Sequence, residues 1–221
     1  MCAIYEPFND RHEAGILLAR ALEHYKDTDT LVLAIPRGGV VVGYEVATAL
    51  NLDLDVIVPR KIPAPGQEEL AIGAVASWGD HDIIIDEQAI RFLGISDEYV
   101  REEAERQLTE VNRRLRTYRG TTEPPDVTGR NVILVDDGVA TGYTTRAAAL
   151  ALKKLSANRV VLAVPVGPPD SVETLRAYVD ELVCLRTPSP FLAVGYWYRD
   201  FRQISDAEVI DLLERSRSRS D

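Results

Sequence analysis

The sequence predicts an α/β fold, a central and mostly parallel sheet flanked by helices, on three observations. Short apolar runs recur at 31–35, 54–59, 132–135, 160–166 and 182–185, as expected of strands covered on both faces. Segments with helical spacing alternate with them, the order that builds a parallel sheet. The runs at 31–35 and 132–135 each stop at small or charged residues that lead straight into a helix. In an open parallel sheet such carboxyl ends of strands are where ligands bind.

Composition narrows the field. At 221 residues the chain suits one substantial α/β domain with an appendage, so 1–221 is read as a single domain. Lys and Arg number 25 against 35 Asp and Glu, a net charge of −10, so an anionic ligand has to be captured by local cations rather than by the field of the whole molecule. Nucleic acid is therefore not an expected partner. Cys2 and Cys184 are too few and too far apart for a disulfide framework, and together with His12, His24 and His81 they form no metal-ligand cluster. A reducing cytoplasm is the expected location. The sequence contains no apolar run of about eighteen residues and no apolar signal core, so a soluble protein with no membrane partner is expected. No internal repeat is visible.

Taken in order, residues 9–25 place Ala14, Ile16, Leu17, Leu18, Ala21 and Leu22 at helical spacing behind Asp10, a good N-cap, and predict a packing helix. The strand at 31–35 ends at Pro36-Arg37-Gly38-Gly39, and 40–50 reads as the helix that follows. A glycine pair lets N–H groups converge on an oxyanion, and Arg37 puts a fixed positive charge at the rim. On its own such a pair is as often an ordinary strand-to-helix turn. The strand at 54–59 ends in Arg60 and Lys61. Residues 62–69, Ile-Pro-Ala-Pro-Gly-Gln-Glu-Glu, are too rich in turn formers to continue a strand or start a helix, and predict a surface loop that moves. Short strands at 71–77 and 83–85 complete its far side.

A long charged helix is predicted at 96–118, capped by Ser96, with Val100, Ala104, Leu108, Val111 and Leu115 as its apolar stripe and its polar face toward water. This inserted helical segment, about 86–120, hands over to a linker at 121–129 carrying Pro124 and Pro125. After the strand at 132–135 come a helix at 146–155, a strand at 160–166, a helix at 170–178 with a capping box from Asp170 to Glu173, and a strand at 182–185. An aromatic tail at 188–204 and a capped helix at 205–213 form a small C-terminal hood, about 186–215. The residues from Arg215 onward are expected to be disordered.

The segment 132–145 organises the rest. It reads Val-Ile-Leu-Val-Asp-Asp-Gly-Val-Ala-Thr-Gly-Tyr-Thr-Thr. Asp136 and Asp137 fall at the end of a strand, and the bend from Val139 to Thr145 enters a helix whose free N–H groups favour an anion. Two acids beside a phosphate cradle suit a ligand with both a phosphate and vicinal hydroxyls, a sugar phosphate. The string resembles the phosphoribosyl diphosphate (PRPP) signature of type I phosphoribosyltransferases, an apolar run, two acids, three small or apolar residues, then Thr-Gly-x-Thr. The Pro-Arg-Gly-Gly turn resembles the same family's pyrophosphate loop, and its place along the chain agrees. Residues 11–213 are similar to a bacterial and archaeal group of this family whose acceptor is unassigned, which shares Pro-Arg-Gly-Gly-Val-Val-Val, the Arg-Lys loop with Ala-Ile-Gly-Ala-Val, and Val-Asp-Asp-Gly-Val-Ala-Thr-Gly.

The resemblance implies a type I phosphoribosyltransferase fold with a mobile loop after the second core strand, and a donor site for PRPP. Val139, Ala140, Thr141, Gly142, Tyr143, Thr144 and Thr145 would hold the 5′-phosphate, Asp136 and Asp137 the ribose hydroxyls, and Arg37, Gly38, Gly39, Arg60 and Lys61 the diphosphate. Mg²⁺ would be held mainly through PRPP, with help from Asp136 and Asp137, so no dedicated metal site is expected. Where the hypoxanthine-guanine branch carries an acid before Thr-Gly, this chain has Ala140. A general base, if one is used, then has to come from elsewhere, and Glu68 and Glu69 on the closing loop are the candidates. The tail faintly resembles the base pocket of that same branch. Phe191, Tyr196, Trp197 and Asp200 are candidates for holding a flat acceptor ring, or equally for filling an interface or the core. Ala140 and the tail point to different acceptors, and the base stays open. The family also implies a homodimer.

Three functions fit these residues. One is a Mg²⁺-dependent phosphoribosyltransferase acting on a nucleobase or similar nitrogen heterocycle. A second is a PRPP-binding regulator without turnover, which a chain lacking a basic surface makes less favoured. A third is a nucleotide hydrolase or phosphorylase using the same site.

Overall fold

The computed structural model describes residues 6–76, 83–123 and 125–220. Cys2, Ser77, His81, Pro124 and Asp221 fall outside these, as do the side chains of Glu68 and Glu69.

The chain opens with α1 (Arg11–Ala21), started by Asp10, whose carboxylate accepts the Glu13 N–H at 2.8 Å. There follow β1 (Thr30–Ala34), α2 (Gly38–Leu50), β2 (Asp53–Val56), β3 (Pro59–Ala64), β4 (Gln67–Ala76) and β5 (Ile83–Ile85). The inserted segment consists of α3 (Glu87–Leu93) and α4 (Asp97–Arg119). The chain then forms β6 (Asn131–Val135), α5 (Tyr143–Lys154), β7 (Arg159–Val166), α6 (Pro169–Arg176), β8 (Glu181–Arg186) and α7 (Asp206–Ser220).

Five parallel strands form the main sheet in the order β2-β1-β6-β7-β8, and β3-β4-β5 form a separate antiparallel sheet. Successive side chains of a strand point to opposite faces, and the core divides accordingly. Val32, Ala34, Ile133 and Val135 pack on one face against α1, α2, α4 and α7, while Leu31, Leu33, Val132 and Leu134 pack on the other against α5 and α6. Cover on both faces explains why these strands read as unbroken apolar runs. Among the described residues no helix is long and apolar enough to cross a membrane.

The structure corrects three expectations. The surface loop expected at 62–69 is a hairpin, in which β3 and β4 pair across a turn at Pro65 and Gly66. Its prolines are tolerated because β3 is an edge strand and Pro63 sits where the register shifts, so the missing N–H removes little from the ladder. The capping box expected from Asp170 to Glu173 does not form. Here α6 starts at Pro169 with no side-chain cap, and Glu173 pairs with Arg176 at 3.3 Å. A proline in the first turn already lacks one of the N–H groups a cap would satisfy. Finally, the residues after Arg215 continue α7 to Ser220 instead of fraying. Arg215 stacks 5.0 Å from the Tyr44 ring, Ser216 is buried, and Arg219 donates to the Thr48 carbonyl at 3.2 Å, so the last turns are tied to α2. The long helix α4 has the expected Ser96 cap, and Val100, Ala104, Val111 and Leu115 are buried along it.

Leu134 is fully buried in the middle strand of the main sheet. Its truncation to Ala is expected to lower unfolding free energy by about 2–5 kcal/mol, read from the urea midpoint at constant slope.

Candidate functional site

β1 and β6 lie side by side in the main sheet, with Ala34 opposite Val135, and the strand order turns between them. From β1 the chain leads to β2 on one side, and from β6 to β7 on the other. That arrangement opens a crevice beyond the strand ends. The two segments singled out in the sequence leave these two strands, which is why they meet although about a hundred residues separate them. The Ile35 N–H donates to the Val135 carbonyl at 2.8 Å, continuing the pairing beyond the strands. A Cβ on Gly38 would sit 1.8 Å from Asp137 Oδ2, and one on Gly39 2.9 Å from Asp136 Cα. Glycine at both positions is what lets the start of α2 lie against the acid pair.

Asp137 is held from three directions. Arg11, buried on α1, places its Nε 2.8 Å from Asp137 Oδ2 and donates through Nη1 to the Arg202 carbonyl at 2.9 Å. The Arg11 guanidinium lies 3.9 Å from the centre of the Phe201 ring. The Tyr198 hydroxyl donates to the Asp137 carbonyl at 2.6 Å. Asp136 accepts the Asp137 N–H at 2.8 Å. Burial, and then the neighbouring Asp137 carboxylate, push Asp136 well above the usual carboxylate range. Burial also raises Asp137, opposed by Arg11.

The bend after the acids is fixed by its backbone. The Val139 N–H donates to the Val166 carbonyl at 2.9 Å and Val139 is buried, while Ala140 is exposed and its carbonyl accepts from Ser171 Oγ at 2.7 Å. Gly142, at φ +77°, is the residue before α5, and no side chain caps that helix. Nor does any side chain cap α2. By contrast α1, α3, α4 and α7 begin with side-chain caps from Asp10, Asp86, Ser96 and Ser205. The uncapped starts of α2 and α5 both face the crevice, so their N–H groups remain available to an anion.

A cleft of about 650 Å³ opens between this bend, the β3–β4 hairpin and α4. Thr141, Tyr143 and Thr144 line it on one side and Arg60 and Lys61 on another. Thr145 is buried and does not line it. The polar face of α4, expected to meet only water, supplies Glu103, Arg106, Gln107 and Arg114 to the same cleft. Arg37 is drawn toward α7, with Nη1 3.6 Å from Asp206 Oδ1. The backbone of Glu68 and Glu69 lies in β4.

The four tail candidates are spread apart. Phe191 and Trp197 pack beside Phe8, Tyr196 is 67 % exposed, and Asp200 is exposed, accepting the Arg202 N–H at 3.1 Å. The tail aromatics in contact with the acid-pair cluster are Tyr198 and Phe201 instead. Arg11 was missed because nothing near it in sequence marks it. A charged residue in the first turn of an amphipathic helix reads as solvated, and only the tertiary fold carries it to Asp137.

An acid pair at one strand end, a glycine turn at the next and uncapped helix starts around them define an open α/β protein with its crevice at the carboxyl ends of β1 and β6. Residues 10–198 match the model of the phosphoribosyl transferase domain, and the chain belongs to that family. It is 42 % identical over 209 residues to Rv0571c of Mycobacterium tuberculosis strain H37Rv, provisionally named a phosphoribosyl transferase, covering 95 % of this chain and 47 % of that one. The chain thus spans about half the length of the curated relatives it matches. Among solved structures, TT1426 from Thermus thermophilus superposes with a TM-score of 0.83 at 41 % identity, over 95 % of this chain and 98 % of that one. A purine phosphoribosyltransferase from Pyrococcus horikoshii shares the fold at a TM-score of 0.50 and 17 % identity, over 93 % and 99 % of the two chains. The fold is that of the type I phosphoribosyltransferases.

Two outcomes follow from the acid pair. Removing the Arg11 side chain with Arg11→Ala leaves the part-buried Asp137 carboxylate without its cation and is expected to cost up to about 3 kcal/mol in chemical denaturation, and adding Asp137→Asn is expected to restore part of it. Because the folded protein raises the Asp136 pKa, folded chains bind more protons than unfolded ones above the unfolded value, and stability falls as pH rises through that interval. Asp136→Asn is therefore expected to melt higher than the parent at pH 7, with the difference vanishing near pH 3. A constant difference across pH would contradict the raised value.

Proposed function

We propose that the protein transfers the 5-phosphoribosyl group of PRPP to a ring nitrogen of a heterocycle, a nucleobase being the first candidate, and releases diphosphate. The observation that carries this reading is the junction of Gly38 and Gly39 with Asp136 and Asp137, beside the uncapped start of α5. In the reaction a nitrogen lone pair bonds to ribose C1 while the bond from C1 to the diphosphate oxygen breaks and its electrons leave with diphosphate. Positive charge gathers on the sugar and negative charge on the leaving group, so a site accelerates transfer mainly by position and electrostatics.

The residues divide along those lines. Thr141, Tyr143, Thr144 and the N–H groups of the bend would take the 5′-phosphate. Asp136 and the Asp137 oxygen turned away from Arg11 would accept from the ribose hydroxyls and face the charge developing on the sugar. Gly38 and Gly39 would present N–H groups to the diphosphate, with Arg37, Arg60 and Lys61 supplying cations. An acid pair with one oxygen already committed to Arg11 suits a Mg²⁺ ion that keeps most of its waters and is carried by the donor. Bound there, the ion would offset charge on the leaving group. Ala140 offers no base, so a proton from the acceptor would pass to water, or to Glu68 or Glu69 on the hairpin. Of the three tail aromatics Tyr196 is the exposed one and would flank the acceptor from the hood, while Phe191 and Trp197 would support it from their packing beside Phe8. A cytoplasmic homodimer completes the reading on family grounds.

The test is to incubate the protein with PRPP, Mg²⁺ and a panel of purines, pyrimidines and smaller nitrogen heterocycles, and to follow diphosphate release and product mass. A phosphoribosylated acceptor formed one for one with diphosphate is expected, and Thr144→Val and Lys61→Ala are each expected to lower kcat/KM about tenfold or more, at least about 1.4 kcal/mol. Tight PRPP binding with no diphosphate released for any acceptor would favour a regulator instead, and release without an acceptor would indicate hydrolysis.

A further inference from the structure

The inserted helix α4 has a built polar face. In a protein of net charge −10, the cleft it shares with the hairpin is lined by Arg60, Lys61, Arg106 and Arg114 against one carboxylate, Glu103. Glu103 is only 2 % exposed, and it anchors a chain of contacts. It pairs with Arg106 on one side and accepts from Gln107 Nε2 at 2.6 Å on the other, and Gln107 Oε1 accepts from Arg60 Nε at 2.7 Å. A buried acid thus orients one arginine of the helix directly and the arginine of the hairpin through an amide. Arg114 is set by Glu110, which also holds the outward-facing Arg113, both at 2.7 Å.

The same face reaches the glycine turn. Tyr118 lies one helical turn beyond Arg114, and its hydroxyl donates at 2.7 Å to Asp206, the acid that Arg37 approaches at 3.6 Å. The helix therefore runs from the Arg37 end of the crevice to the wall opposite Thr141 and Thr144. The wall at the bend offers hydroxyls and N–H groups, enough for a single phosphate. The α4 wall offers guanidinium forks, whose paired donors match the adjoining oxygens of a diphosphate.

We infer that α4 is a donor-binding element, with Arg106 and Arg114 holding the diphosphate end of the donor alongside Arg60. The inference rests on the transferase reading above and adds to it an element that lies outside both sequence motifs. The two ends of the donor can be probed apart, by titrating inorganic diphosphate and ribose 5-phosphate separately in a calorimeter with the full-length protein. Arg106→Gln and Arg114→Gln are each expected to weaken diphosphate about tenfold and to leave ribose 5-phosphate within about twofold. Arg113→Gln, on the same helix and the same acid but facing away from the cleft, is the control and is expected to change neither. Equal losses for Arg113→Gln and Arg114→Gln, or equal losses of both ligands, would overturn the assignment. So would unchanged diphosphate affinity in both cleft variants while the parent protein binds it, an outcome that leaves the proposed function standing. A parent protein that binds neither probe overturns both readings.

Discussion

The ion pair between Arg11 and Asp137 is the contact through which the parts of the site are joined. It links the first helix to the end of a central strand, stacks on the C-terminal tail through Phe201, and sits so close to Gly38 that no side chain is possible there. A carboxylate this sheltered needs a fixed partner, because an isolated buried charge is expensive. The consequence is that one oxygen of Asp137 is committed to structure. The two acids, adjacent in sequence and alike in composition, are therefore unequal. Among the described residues Asp136 makes no ion pair of its own, and burial, followed by the neighbouring Asp137 carboxylate, raises its pKa.

Sheet topology does the rest. Because β1 and β6 are neighbours with opposite onward routes, their carboxyl ends face one crevice, and each end opens into a helix whose first N–H groups lack a side-chain cap. A cap at either place would take up the N–H groups that are left without a side-chain partner there. Two capped helices also start beside this junction, α1 with Arg11 on Asp137 and α7 with Asp206 near Arg37, and they bring side chains to it rather than N–H groups. Stability is thus supplied by the core on both faces of the sheet, while the ends of the strands are left with unsatisfied donors and crowded acids, the usual signature of a site shaped for a ligand rather than for folding.

Much of this was legible in the chain. Apolar runs covered on both faces gave β1, β2, β6, β7 and β8, and the Asp136–Thr145 and Pro36–Gly39 segments pointed to one crevice because each follows such a run. What could not be read was any contact set by tertiary placement. Arg11 has no local mark, and Tyr198 and Phe201 were visible only as members of an aromatic tail. The hairpin at 59–76 was hidden because Pro63, Pro65 and Gly66 argue for a loop unless one knows that β3 is an edge strand with a shifted register. The polar stripe of α4 looked like a solvated face, since charge patterning along a helix does not reveal what stands opposite.

The last helix carries a practical implication. Asp206 in its first turn holds both Tyr118 and Arg37, and Arg219 near its other end is bound to Thr48 on the helix that begins at Gly38. The segment that in sequence resembled a trailing end is a brace across the back of the crevice. Trimming the chain after the hood to ease crystallisation, or trading those turns for a purification tag, would detach the brace from α2 and slacken the helix that carries the acid beside Arg37.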